Sequence, residues 1–118
     1  MENEITYREV FFYKDYFLSF FSTLSSDVQK KLIWTLRLIT TTNRVPIKFL
    51  KYIYGTSGIF EIRVEVGSDI YRVFSFFDQG QIIVIMQGFR KKSRRIPTAQ
   101  IKMAEKIKKQ YFDEKTNQ

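Results

Sequence analysis

The stretch GIFEIRVEVGSDIYRVFSFFDQGQIIVIMQ, residues 58–87, decides the fold class. Phe60, Ile62, Val64 and Val66 alternate with Glu61, Arg63 and Glu65, the period-two pattern of a strand with one polar face. Gly67-Ser68-Asp69 turns the chain into a second strand over residues 70–77, and Asp78-Gln79-Gly80 turns it again, its glycine free to take a positive φ. Residues 81–87 then run almost unbroken in apolar side chains, the mark of a central strand covered on both faces. Consecutive tight turns make the three strands antiparallel neighbours. The register depends on the first turn: a two-residue Gly67-Ser68 loop sets Arg63 directly against Arg72, whereas a three-residue turn sets Val64 there.

Upstream of this meander the pattern is helical. Residues 5–13 are β-favouring and aromatic, enough for a first strand. Tyr16, Phe17, Phe20, Phe21 and Leu24 then recur at spacings of three and four, which predicts a helix burying an aromatic face. Ser26 with Gln29 three residues on reads as a capping box for a second helix. Its core face is Val28, Leu32, Ile33, Leu36 and Ile39, and it fades in Thr40-Thr41-Thr42-Asn43. So short a link predicts an antiparallel helix pair. Residues 44–58 read as irregular.

Downstream, Gly88-Phe89-Arg90-Lys91-Lys92-Ser93-Arg94-Arg95 leaves the central strand crowded with cations. Pro97 opens a last helix with a modest stripe of Ile101, Ala104, Ile107 and Tyr111. From Asp113 to the end the chain is expected to fray. The fold class is therefore α+β: an N-terminal helix pair and a C-terminal helix packed on a small twisted, mostly antiparallel sheet, one domain over residues 1–118.

Composition narrows the chemistry. The chain has 118 residues and is 44% apolar, sufficient for one core. Twenty Lys and Arg against twelve Asp and Glu give a net charge of +8, which points to a polyanionic partner without choosing one. There is no Cys and no His. Disulfides, thiolate or imidazole zinc sites and imidazole-based nucleophilic catalysis are excluded. No metal or other cofactor is called for. The charged N-terminus has no signal-peptide pattern, and the longest apolar run, residues 82–86, is far short of a membrane span, so a cytoplasmic protein is expected.

Three groups of residues carry candidate chemistry. Arg63 and Arg72, if opposite, repel by a few tenths to about 1 kcal/mol, a cost most readily accepted where an anion sits between them. The alternative is two solvated arginines balanced by Glu61 and Glu65. The run Arg90, Lys91, Lys92, Arg94, Arg95 is attached to a buried strand, where guanidinium groups grip phosphate in a bidentate manner and lysines act as point charges. Lys48 and Lys51 alternate with Phe49, Leu50 and Tyr52. Cations beside aromatics suit RNA, although the stronger reading is that Phe49, Leu50 and Tyr52 anchor the loop to the core.

In this order the motifs resemble a family. Two helices, Lys-Phe-Leu-Lys (48–51), Gly-Ile-Phe-Glu-Ile-Arg (58–63), Tyr-Arg-Val-Phe (71–74), Gly-Phe-Arg-Lys-Lys (88–92) and a helix starting at Pro97 look like the phage-derived, HigB-like branch of the RelE/ParE toxin superfamily. The resemblance implies a RelE-like fold and a type II toxin with a cognate antitoxin, often a helix-turn-helix protein. It also implies a ribosome-dependent endoribonuclease acting on mRNA, in which the ribose 2′-hydroxyl attacks its adjacent phosphate. Arg63 and Arg72 match the family's basic hairpin positions, and Arg90 or Lys91 its basic residue after the last strand. Lys48, Lys51, Lys92, Arg94 and Arg95 are then RNA-binding.

Many such nucleases carry a Tyr or His near the C-terminus, where this chain has Arg94-Arg95-Ile96. Arginine is no general base, since its pKa lies above ~12. Electrostatic stabilisation by Arg63, Arg72 and Arg90, with Lys91 secondary, is the expected mechanism. Proton transfer falls to Glu61, a lysine of lowered pKa or a ribosomal group. A gyrase-poisoning, ParE-like toxin and a catalytically inactive, antitoxin-binding regulator remain the alternatives.

Overall fold

A computed structural model describes residues 5–91 and 95–117. The elements run β1 (Glu9–Phe12), α1 (Tyr16–Phe21), α2 (Ser26–Thr41), β2 (Leu50–Tyr52), β3 (Phe60–Val66), β4 (Asp69–Asp78), β5 (Ile82–Lys91) and α3 (Thr98–Thr116). They build one five-stranded sheet in the order β1-β5-β4-β3-β2. β1 lies parallel to β5 and every other pairing is antiparallel. The meander read from the sequence is its centre, and β1 on the outer side of β5 makes that strand interior.

Alternation sorts the side chains onto two faces. Ile62, Val64, Tyr71, Val73, Ile83 and Ile85 meet Phe17 of α1 and Leu32, Leu36 and Ile39 of α2. On the other face Phe74, Phe76, Val84 and Met86 meet Ala104 and Ile107 of α3. Burial on both faces explains why β4 and β5 lose the polar alternation that β3 keeps. α1 lies against β5, where the ring of Phe20 covers Gly88; a Cβ there would come within 2.4 Å of that ring.

Several local expectations are corrected. The capping box does not form: Ser25, not Ser26, is the extended N-cap, so Gln29 falls one position beyond the box. Its amide instead donates to Phe21 O at 2.9 Å, tying the start of α2 to the end of α1. Ile33 is 58% exposed, and Thr35 takes the core position, its hydroxyl donating to Lys31 O. The stripe then runs Val28, Leu32, Thr35, Leu36, Ile39, closer to a 3.6-residue period than the one containing Ile33. Within the irregular stretch, β2 pairs Leu50, Lys51 and Tyr52 with Ile62, Glu61 and Phe60. Three residues are too few to show a period. β5 does not stop at Gln87 but continues through Lys91.

The C-terminal helix runs to Thr116 rather than fraying from Asp113. Lys109 donates to Asp113, and the Tyr111 hydroxyl and Lys115 ammonium both donate to the buried carboxylate of Asp78 on β4, at 2.6 and 2.7 Å. Those two bonds, Lys115 first, hold the Asp78 carboxyl below its ordinary value. Burial and then Asp78 push the Tyr111 phenol up to about 12. A lowered carboxyl contributes stability that is complete above its unfolded pKa of about 3.9 and fades as pH falls through the native value. Asp78→Asn should therefore cost about 1–2 kcal/mol at neutral pH. In urea titrations repeated at decreasing pH, wild type and variant should converge below about pH 4, and a constant gap would exclude the carboxylate as the cause. Among the described residues no helix is long and apolar enough to cross a membrane.

Candidate functional site

α3 covers only part of its sheet face. Beyond its first turns the face opens into a cleft of about 630 Å³. β3 supplies Glu61 and Arg63, β4 supplies Arg72 and β5 supplies Lys91. Lys48 and Lys51 enter from the β2 side and Arg95 from the approach to α3. Among the described residues, six cations thus share one concavity with a single carboxylate.

The register places Arg63 opposite Arg72, as the two-residue turn predicts. Each arginine also has a carboxylate. Arg72 Nη1 donates to Glu61 Oε2 at 2.6 Å, with both side chains 6% exposed, and Arg63 Nη2 donates to Glu65 Oε1 at 2.7 Å. The balancing by Glu61 and Glu65 is real, yet incomplete: the Nε atoms of both arginines are buried without a hydrogen-bond partner. Two adjacent guanidinium groups on one cleft face are an arrangement that can stabilise an oxyanion.

Arg90 and Lys91 part company. Across β4 and β5 the register runs Val73↔Gly88 and then Ser75↔Ile85, so Met86 and Gln87 together face Phe74, a β-bulge. The extra residue reverses the faces of everything after it on β5. Arg90 therefore pairs with Tyr71 on the α1 side, where its guanidinium binds Asp69 and lies beside Phe20 and Leu24. Lys91 turns into the cleft. The grouping of Arg90 with Arg63 and Arg72 is not what the structure shows. Lys92 and Arg94 lie outside the described residues.

Of the apolar residues beside Lys48 and Lys51, Phe49 packs edge-on against Trp34 and Leu50 against the core, so both do anchor the loop. Tyr52 is 45% exposed and Tyr54 95% exposed, and both line the cleft. Sequence reasoning missed Tyr54. The signal was its neighbours: Gly55 at φ +84° and Gly58 at φ +121° shape a turn that lifts it clear. α3 clamps that turn, Glu105 accepting from Ser57 N and Oγ and Lys108 donating to Ser57 O. Among the described residues no group of three or more Asp or Glu side chains is placed to hold a metal ion.

No curated protein sequence matches the chain. Among solved structures, a chain of the archaeal RelE–RelB complex from Pyrococcus horikoshii OT3 superposes with a TM-score of 0.52 at 18% identity, covering 75% of this chain and 99% of that one. At that identity the likeness establishes the fold, which is RelE-like. The phage-derived Gp49-like family (DUF891) matches residues 19–109, a span that includes both hairpins, the bulge and most of α3. The protein thus belongs to the phage-derived Gp49-like family.

Proposed function

We propose that the protein is the toxin of a type II toxin–antitoxin pair and that its cleft cleaves mRNA on the ribosome. The observation that carries this reading is the convergence of six cations on one concave face, with Arg63 and Arg72 side by side at its floor. In the proposed reaction the ribose 2′-oxygen attacks the adjacent phosphorus and the bond to the 5′-oxygen breaks. The products are a 2′,3′-cyclic phosphate and a 5′-hydroxyl; one proton leaves the 2′-oxygen and one reaches the 5′-oxygen. The crowded phosphorane carries extra negative charge, which Arg63, Arg72 and Lys91 would stabilise. Glu61 holds Arg72 in place by its 2.6 Å ion pair, a role that fits its burial better than service as a free base. Lys48, Lys51 and Arg95 hold flanking phosphates, and Tyr54 supplies an aromatic ring to a cleft that has no tyrosine or histidine at positions 94–96. The RelE structure was solved as a complex with RelB, which supports a cognate antitoxin for this chain too.

Primer extension on messages from cells expressing the protein tests the reading. In-frame cuts within translated regions are expected, and Arg63→Ala combined with Lys91→Ala, which leaves the buried Arg72–Glu61 pair in place, should lower them by about 10²-fold or more. Growth arrest with intact messages and inhibited DNA supercoiling would replace the nuclease with a gyrase poison.

A further inference from the structure

Beside the cleft lies a second one of about 370 Å³, lined by Lys31 and Trp34 of α2, Lys48 and Phe49 of the following loop, and Arg63 and Glu65 of β3. Its position follows from the sheet edge. β2 pairs with β3 no further than Ile62, and Arg63 N donates to Phe49 O at 3.0 Å. Beyond that rung, among the described residues, no strand pairs with this edge of β3, and Lys31 Nζ reaches the carbonyl of Glu65 there. Arg63 therefore stands where the sheet face meets its edge. It lines both clefts, as does Lys48.

Two shared cations make the basic surface continuous from one cleft into the other. Among the described residues the second contains three cations, one carboxylate and two aromatics, of which Trp34 is 50% exposed with its ring held edge-on by Phe49 at 5.6 Å. A cation track beside a half-exposed, fixed indole fits a nucleic-acid strand better than it fits an apolar protein surface. The path also bends around a sheet edge, which a single strand can follow and a rigid duplex cannot.

We propose that this second cleft is a subsite for single-stranded RNA flanking the phosphate bound at Arg63 and Arg72, with Trp34 stacking an unpaired base and Lys31 and Lys48 meeting the backbone. The proposal rests on the reading of the first cleft as an RNA site. Trp34 is the sole tryptophan of the chain, so its fluorescence reports on this subsite alone.

The test titrates the intact protein with 2′-O-methylated oligonucleotides, which cannot be cut, from a trinucleotide to a decanucleotide. The longer strand should quench Trp34 and bind roughly 5- to 100-fold more tightly than the shorter, the range expected for stacking one base. It should also show a steeper salt dependence. Lys31→Ala and Trp34→Ala should each reduce that length-dependent gain, with Trp34→Phe retaining it. Lys31→Ala leaves the packing of Trp34 on Phe49 intact and so guards against a folding artefact.

A decanucleotide that binds no better than the trinucleotide and leaves Trp34 unquenched overturns the subsite while sparing the first cleft. Trinucleotide binding indifferent to Lys51→Ala and Lys91→Ala overturns the reading on which it rests. Quenching by poly-glutamate but not by the oligonucleotides assigns the cleft to a protein and overturns the proposal.

Discussion

Replacing Arg72 by alanine should destabilise the protein by about 3–5 kcal/mol, while replacing Arg72 and Glu61 together by leucine should recover most of that loss. The two side chains are 6% exposed and joined at 2.6 Å. Truncating one leaves the other charge out of water without its partner, and that is the expensive state. Removing both removes the desolvation as well. On one side the surroundings suit leucine, because Glu61 faces Phe74 and Arg72 faces Phe89 across the sheet, and on the other the neighbours Lys51 and Arg63 have stems long enough to carry their charges out into the cleft. Urea unfolding of Arg72→Leu, Glu61→Leu and the double variant, read as a double-mutant cycle with Arg72→Ala measured alongside, tests this. A double variant as unstable as Arg72→Ala alone would show that the pair itself holds the sheet together. With recovery, stability no longer explains why an arginine and a glutamate occupy positions that apolar side chains could fill. Function then does: a guanidinium fixed at the floor of a cationic cleft, beside a second one, can meet an oxyanion without reorganising.

The Arg63–Arg72 pairing was legible in advance as one of two registers, because it depends only on local rules. Period-two alternation marked β3 and the glycines marked the turns, and the two-residue loop seen in the structure chooses Arg63 over Val64 as the partner of Arg72. The helices α2 and α3 were equally readable from their apolar stripes. What failed to show was set by the rest of the fold. Thr35 displaces Ile33 from the core because its hydroxyl finds a carbonyl within its own helix, a satisfaction no hydropathy pattern records. The three residues of β2 become a strand only because β3 offers an edge. Tyr54 looks like any loop aromatic until α3 is seen to clamp the turn beside it through Glu105 and Lys108. Asp78 sits in a turn motif and reads as solvated, yet it anchors the end of α3 from 33 and 37 residues away in the chain.

The bulge on β5 has the sharpest consequence for the proposed chemistry. In an unbroken strand the alternation would carry Arg90 into the cleft and turn Lys91 away. With Met86 and Gln87 both opposite Phe74, the assignment reverses. Gln87 marks the shift, since its amide reaches Gln100 at the start of α3 although its neighbour Met86 already points to that face. Lys91→Ala should accordingly lower message cleavage by about 10²-fold, the usual loss on removing one donor from a preorganised anion site. Arg90→Ala should leave cleavage within about two-fold of wild type and the urea midpoint almost unchanged, as expected for an exposed pair with Asp69. Quantitative primer extension on the two variants, expressed at matched levels, decides it. Equal losses would mean that charge near the strand end matters more than the face it occupies. A larger loss at Arg90 would return the strand to simple alternation and take Lys91 out of the site.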